Sequence, residues 1–266
     1  MDQTDLFLPA LGDVRARTVQ DFMTHNWFAL HGGTKRTEPI THKVGDTWVT
    51  VRGTADLGIA TLYDADLLFF LISTLQQNID DGQPITNSFS FSFWDFAKFR
   101  QIKNLSGKRY ADIWEAIKRL TTTTIQTNIP AYGERIIPLL AGGAKLEEDL
   151  VMGPKFPTQY YRVELAPFVY DAVANQKRVL SISKDYFRIR GMLRRFLFLY
   201  ARKSIGQNKS EWKESLETFM PKTATLSSRK EFRRMIRTMT EKPILNYTVR
   251  LDDEDNIIFQ NHQKRK

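Results

Sequence analysis

The chain has 266 residues, 42% hydrophobic and 26% charged, a globular composition that suits one large domain or two ordinary ones. It has no cysteine, which excludes disulfides and thiolate metal sites and gives no support to secretion. The formal net charge is +9, yet positions 186–250 alone carry 16 Lys or Arg against 5 Glu and no Asp, a local +11 that points to a polyanionic partner and leaves the remainder near neutral or slightly acidic.

In chain order, residues 1–24 lack sustained periodicity and read as a flexible tail. The longest apolar runs, 67–72 and 196–201, are too short to span a bilayer, and Asp2 and Asp5 stand where a signal peptide carries positive charge. A cytoplasmic protein without membrane attachment is expected. Residues 48–52 alternate apolar and polar, which predicts a strand. Residues 62–77 predict a helix, with Asp64 as its cap and Leu67, Leu68, Leu71, Ile72 and Leu75 on one face. A short strand with Phe89, Phe91 and Phe93 follows, then a short helix over 94–101. The next helix covers 106–120, with Tyr110, Ile113, Ile117 and Leu120 on its buried side, and a β-branched strand covers 121–129. A Gly/Pro-rich, acidic stretch over 142–157 reads as a loop near a domain boundary.

The second half opens with a predicted strand at 160–165, a short helix at 167–174 and a strand at 179–183. Helices follow at 185–205, 212–220 and 228–240, then two strands, 247–251 and 256–260, joined by the acidic run 252–255. Both halves thus repeat long helix, short helix, helix, β-hairpin, the order of the winged helix-turn-helix. The expected fold is α+β, with two tandem winged-helix domains at 25–157 and 158–262 and a basic tail at 263–266.

The helix over 228–240 reads SRKEFRRMIRTMT. Ser228 stands three residues before Glu231, the spacing of a capping box. On a helical wheel Phe232, Met235, Ile236 and Met239 share one arc, while Arg229, Lys230, Arg233, Arg234 and Arg237 share the other, without an acidic residue among them. Arg229/Arg233 and Arg233/Arg237 are like-charge pairs at i, i+4, which repel unless phosphates or other anions meet them. This is the expected recognition helix of the second domain, able to contact phosphates or read guanine bidentately. A solvated amphipathic face is the plain alternative. In the first domain the counterpart carries Lys108, Arg109 and Tyr110 at its N-terminal end, although Asp112 and Glu115 balance its charge. Arg188, Arg190, Arg194 and Arg195 form a further basic group, for which either nucleic acid or an acidic surface of the neighbouring domain is a partner.

Enzymatic readings find no support. The four histidines, His25, His31, His42 and His262, form no His-x-His pair and no zinc spacing. No phosphate-binding loop is present, since residues 206–210, GQNKS, have the wrong spacing. No cofactor and no metal site are expected.

Three stretches, LGIATLYDADLLFFLISTLQQ (57–77), SGKRYADIWEAIKRLTTTTIQTNI (106–129) and LSISKDYFRIRGMLRRFLFLYARK (180–203), resemble the bacterial plasmid replication initiator protein A family in order and over most of the chain, from about 27 to 258. The resemblance implies two winged-helix domains that bind double-stranded plasmid origin repeats, melt an adjacent AT-rich region as single strands, and recruit host replication proteins including the replicative helicase. It also allows a homodimer that represses its own gene. A transcriptional repressor without initiator activity is the rival reading, and docking of the basic face on an acidic protein is a third. The pentapeptide Gln3-Thr4-Asp5-Leu6-Phe7 resembles the bacterial sliding-clamp motif, Gln-x-Asp/Ser-Leu-Phe, with Gln3, Asp5, Leu6 and Phe7 at the defined positions. An extended tail could insert Leu6 and Phe7 into an apolar groove, while Gln3 hydrogen-bonds at its edge. Packing of Leu6 and Phe7 on the first domain, or stacking of Phe7 on melted DNA, are the alternatives.

Overall fold

The computed structural model describes residues 8–9, 13–30, 35–102, 107–130, 133–146, 159–175, 178–206, 209–240 and 242–262. The elements in order are β1 (Leu8–Pro9), β2 (Arg17–Val19), α1 (Gln20–Thr24), β3 (Ile40–Val44), β4 (Thr47–Arg52), α2 (Ala65–Asp80), β5 (Ser88–Ser92), α3 (Phe93–Phe99), α4 (Gly107–Thr122), β6 (Thr124–Thr127), β7 (Arg135–Pro138), β8 (Leu140–Leu146) and β9 (Tyr160–Leu165). After them come α5 (Pro167–Ala174), β10 (Val179–Ser181), a 3-10 turn at Lys184–Arg188, α6 (Met192–Ile205), β11 (Glu211–Ser215), α7 (Leu216–Lys222), α8 (Arg229–Thr240), β12 (Tyr247–Leu251) and β13 (Asn256–Asn261).

The repeat read from the sequence is present as topology. Strands β5, β9 and β8 lie in the order β5-β9-β8, and strands β11, β13 and β12 in the order β11-β13-β12. Each set is first strand, then third, then second, with antiparallel pairing throughout. With α2, α3 and α4 before one wing and α6, α7 and α8 before the other, the chain is two tandem winged-helix units in an α+β fold.

The first unit is built around α2, in which every residue from Ala65 to Leu75 is buried. The expected single apolar face is therefore a helix enclosed on all sides. Asp64 does not cap it. Its carboxylate turns back to the Thr61 N–H (2.7 Å) and receives the Arg119 guanidinium in a two-point grip at 2.7 and 2.8 Å. The turn into α3 is a true capping box, with Ser92 Oγ accepting from the Asp95 N–H and Asp95 Oδ2 accepting from the Ser92 N–H.

Strand β9 pairs with both β5 and β8, so the first wing sheet runs on to Leu165. The stretch read as a loop from position 142 begins as β8, and residues 147–158 lie outside the described residues. A second sheet, β3-β4-β6-β7, joins two strands that precede α2 to two that lie between α4 and β8. Its register joins Val49 to Thr127, a pairing no local pattern announces.

The expected tail ends sooner than position 24. Strand β2 pairs with the remote β10, Thr18 opposite Leu180, and Val14, Ala16, Val19, Phe22 and Met23 are core. Phe22 meets Trp27 edge-on at 5.1 Å, and Trp27 stacks on Phe168 at 5.6 Å. A three-residue strand and a five-residue helix are too short for periodicity to reveal.

In the second unit the helix expected from 185 is interrupted. The 3-10 turn gives way to an extended stretch, and Gly191, at φ +85°, precedes α6. Residues expected as a helix from 212 divide into β11 and α7. Along β11 exposure alternates, with Glu211, Lys213 and Ser215 outside, the period of a strand rather than a helix. Ser215 Oγ accepts the Thr218 N–H and starts α7.

The two units share one continuous core. At their joint Asp66, fully buried at the start of α2, lies 2.8 Å from Arg195 of α6 and 2.9 Å from Arg100 after α3. The Gly191 N–H donates to the Tyr63 hydroxyl at 3.1 Å. The Asn26 side chain donates to the Thr223 carbonyl at 3.0 Å, and Arg36 donates to the Ala224 carbonyl.

Candidate nucleic-acid interface

The strongest candidate surface is the outer face of α8. Phe232 and Ile236 are fully buried and Met235 and Met239 pack against the core, as the apolar arc predicts. Arg229, Lys230, Arg234 and Arg237 are exposed and Arg233 is half-buried, so the five cations form one solvent-facing patch bordered by Ser228, Glu231 and Thr238.

The cap is half of what the spacing suggests. Ser228 Oγ accepts the Glu231 N–H at 3.3 Å, but the Glu231 carboxylate turns to Arg234 at 2.6 Å. That hydrogen-bonded pairing holds the carboxyl below the usual carboxylate range. A second anion comes from outside the helix. Asp255, at the tip of the β12–β13 wing, lies 2.9 Å from Arg229 Nη2 and 3.1 Å from Arg233 Nε. The basic arc is therefore not free of acids, and the repulsion between Arg229 and Arg233 is relieved by an aspartate between them.

The tip is held in place. Asp252 Oδ1 accepts from the N–H groups of Glu254 and Asn256, and Lys213 reaches Asp252 at 2.8 Å. The Lys213 contact, with the Asn256 backbone second, holds the Asp252 carboxyl far below its ordinary value. Asp255 adopts φ +62°, the left-handed region that Asp and Asn tolerate, and its carbonyl accepts the Leu216 N–H at the start of α7.

In the first unit α4 occupies the position of α8. Its backbone begins at Gly107, so Lys108, Arg109 and Tyr110 stand in its first turn, and their side chains lie outside the described residues. Downstream, Ile113, Ala116, Ile117 and Leu120 are buried. Glu115 pairs with Lys118 at 2.6 Å, and Lys145 of β8 lies over the half-buried Trp114 ring at 5.3 Å.

The third basic group separates. Arg188 is exposed and pairs with Asp185, Arg190 is exposed, and Arg194 reaches the Pro243 carbonyl at 3.3 Å. Arg195 is 1% exposed. It donates to Asp66, to the Phe187 carbonyl at 2.8 Å and to the Ile189 carbonyl at 3.0 Å, between the rings of Tyr63 and Tyr186. Arg195 is removed from the set of surface contacts, since its guanidinium serves the joint between the units. The clamp-like motif, Gln3, Asp5, Leu6 and Phe7, lies outside the described residues.

Residues 17–249 match the sequence model of Replication initiator protein A. The chain belongs to that family. A Wigglesworthia glossinidia brevipalpis protein described as "Putative replication protein" is 31% identical over 240 residues, 89% of this chain and 85% of that one. A crystal structure of domains 2 and 3 of RctB has the same fold, with a TM-score of 0.63 over 91% of this chain and 98% of that one at 16% identity.

Two residues of this replication initiator escape a reading by charge clusters. Asp255 belongs to an acidic run that reads only as a hairpin tip. Asp66 belongs to an apolar helix, and its partner lies 129 positions away. Arg195 did carry a signal, because it shares a helical arc with Met192 and Leu199, both buried.

Proposed function

We propose that this initiator binds double-stranded origin DNA of a plasmid-type replicon through α8 and α4, and recruits host replication proteins there. The observation that carries the reading is the outer arc of α8, where Arg229, Lys230, Arg233, Arg234 and Arg237 cover one face of the third helix of a winged-helix unit. Such a helix enters the major groove, where Arg recognises guanine O6 and N7 and other cations neutralise phosphates. The tandem arrangement gives two such helices in one chain, a fit for a bipartite repeat. The buried joint suits this use, because two readers held by one core pay little orientational entropy for the second half-site.

Catalysis is not part of the proposal. Duplex opening then draws on binding energy and a recruited helicase rather than on hydrolysis by this chain. Residues 3–7 are proposed to bind the sliding clamp, with Leu6 and Phe7 as the apolar anchors, and so to bring the replicative polymerase to the opened origin. Repression of the initiator's own gene uses the same DNA-binding surface and is compatible with it.

The test is replication itself. A plasmid lacking its own initiator, supplied with this gene and its flanking DNA, should replicate, and a protection footprint on that DNA should show repeats. A footprint without replication would leave a repressor, and the absence of both would overturn the reading.

A further inference from the structure

Asp255 is placed as a fixed point against α8. Its φ of +62°, the hydrogen bond from the Leu216 N–H at 2.8 Å and the Asp252 network beside it hold the wing tip against the start of α7. Its side chain is 18% exposed, so the contacts it makes are shielded from water more than an ordinary surface pair.

The two arginines meet it differently. Arg229 reaches Asp255 Oδ2 with a terminal nitrogen, Nη2, which spends the end of its guanidinium on the aspartate. Arg233 approaches Oδ1 through Nε. That approach is an ion pair without a hydrogen bond, since Asp255 Oδ1 accepts none; it draws the carboxylate to the Nε side of the guanidinium and leaves the end, Nη1 and Nη2, as a fork of donors. Among the described residues no hydrogen bond engages that fork, and the Arg233 side chain is 37% exposed. A fork of this kind matches O6 and N7 of guanine, and holding it in advance lowers the ordering cost of the contact.

We propose that Asp255 is a positioning residue for sequence reading, drawing Arg233 by charge at its Nε side so that its terminal nitrogens face a guanine in the major groove. This rests on the reading of α8 as the DNA-facing helix. A bidentate Arg–guanine contact discriminates against other bases by about 5- to 150-fold, and a swinging arginine retains only part of that. The aspartate also repels phosphates, so its charge acts against indiscriminate binding and its geometry acts for the selected base.

The experiment uses the full chain and a duplex that the wild-type protein selects from a randomised pool. Competition binding is measured against every single-base-pair variant of that duplex for Arg233→Ala, Asp255→Asn and the double variant. Asn and Gly both accept the left-handed backbone at position 255, so Asp255→Gly serves as a second variant should Asp255→Asn fold poorly. Arg233→Ala should relax discrimination at one base pair. Asp255→Asn should relax it at the same base pair by about tenfold, leave other positions unchanged, leave affinity for unrelated DNA equal or higher, and add nothing in the double variant. Discrimination retained within about twofold in both position-255 variants, or lost evenly at all positions, overturns the assignment of Asp255 alone. If Arg233→Ala changes no position, the reading of α8 falls and the role of Asp255 falls with it.

Discussion

Replacing Arg195 with Met tests whether the joint between the units is as consequential as its geometry implies. Arg195 Nη1 stands 2.8 Å from both oxygens of Asp66, which is fully buried, and Arg195 itself is 1% exposed. Met fills much of the same volume but removes one of the two cations beside Asp66 and the donors to the carbonyls of Phe187 and Ile189. Removing one partner of a buried ion pair costs about 3–5 kcal/mol, because the remaining charge stays buried without compensation. Arg100, 2.9 Å from Asp66, retains part of that compensation, which places the expected loss near the lower end, about 3 kcal/mol. That is a large share of the roughly 5–15 kcal/mol that holds a typical domain folded. Arg188→Ala is the control. Its pair with Asp185 is 63% and 51% exposed, and such pairs contribute about 0–1 kcal/mol. Urea unfolding followed by tryptophan fluorescence and circular dichroism measures both. Asp66→Leu combined with Arg195→Met should recover part of the loss, since an apolar pair no longer strands a charge. If Arg195→Met lies within about 1 kcal/mol of the control, the joint is not held by this pair and the reasoning fails.

Salt, acid and the N-terminal peptide give three further outcomes. If α8 and α4 bind one duplex as proposed, they make roughly 6–10 phosphate contacts, so DNA affinity should fall about 10³- to 10⁵-fold between 50 and 200 mM salt in a filter-binding titration, and a flat profile would favour a protein partner for α8. Burial above all, then neighbouring cations, lowers His25 to about 3, and burial, then Lys222, lowers His42 to about 4. The folded state thus keeps both neutral while the unfolded chain takes up protons below about pH 6.5, and stability drains as pH falls from there towards 4, by about 2 kcal/mol per histidine at pH 5. Thermal melts at pH 7.5 and 5.0 should show this loss, and a His25→Phe/His42→Gln variant should lose most of the difference; an unchanged difference refutes the attribution. A peptide of residues 1–11 should bind purified bacterial sliding clamp and lose binding with Leu6→Ala/Phe7→Ala, whereas equal binding by both peptides, or none into the high micromolar range, removes the clamp role.

What the sequence revealed follows from range. Helix α8 was legible because twelve residues of strict amphipathicity carry their own signal, and β12 and β13 because a short turn joins neighbouring strands. The pairing of β2 with β10 was not, since three residues on each side define no period and their partner is remote. Trp212 misled for another reason. Its apolar ring, followed by Leu216 and Phe219, mimics helical spacing, while the alternation of Glu211, Lys213 and Ser215 belongs to a strand. Adjacent Arg194 and Arg195 show the limit for sites. Charge alone makes them equal, whereas the fold sends one to the surface near Pro243 and the other into the core against Asp66.

The same distinction bears on the +11 segment as a whole. Net charge draws a polyanion from a distance, and salt screens that attraction within about 10 Å at 0.1 M. It cannot by itself choose a sequence, because every duplex offers the same phosphates. On α8 the cations are not left as a diffuse field. Glu231 fixes Arg234 from within the helix, and from the wing Asp255 hydrogen-bonds Arg229 and lies 3.1 Å from Arg233 Nε. Each pairing removes some long-range attraction and confines a flexible side chain. The proposed origin binding would gain from that exchange, since its useful quantity is the ratio of specific to non-specific affinity rather than affinity alone. The acidic tip of the second wing thus fits the reading role proposed for α8, and it belongs to the same surface.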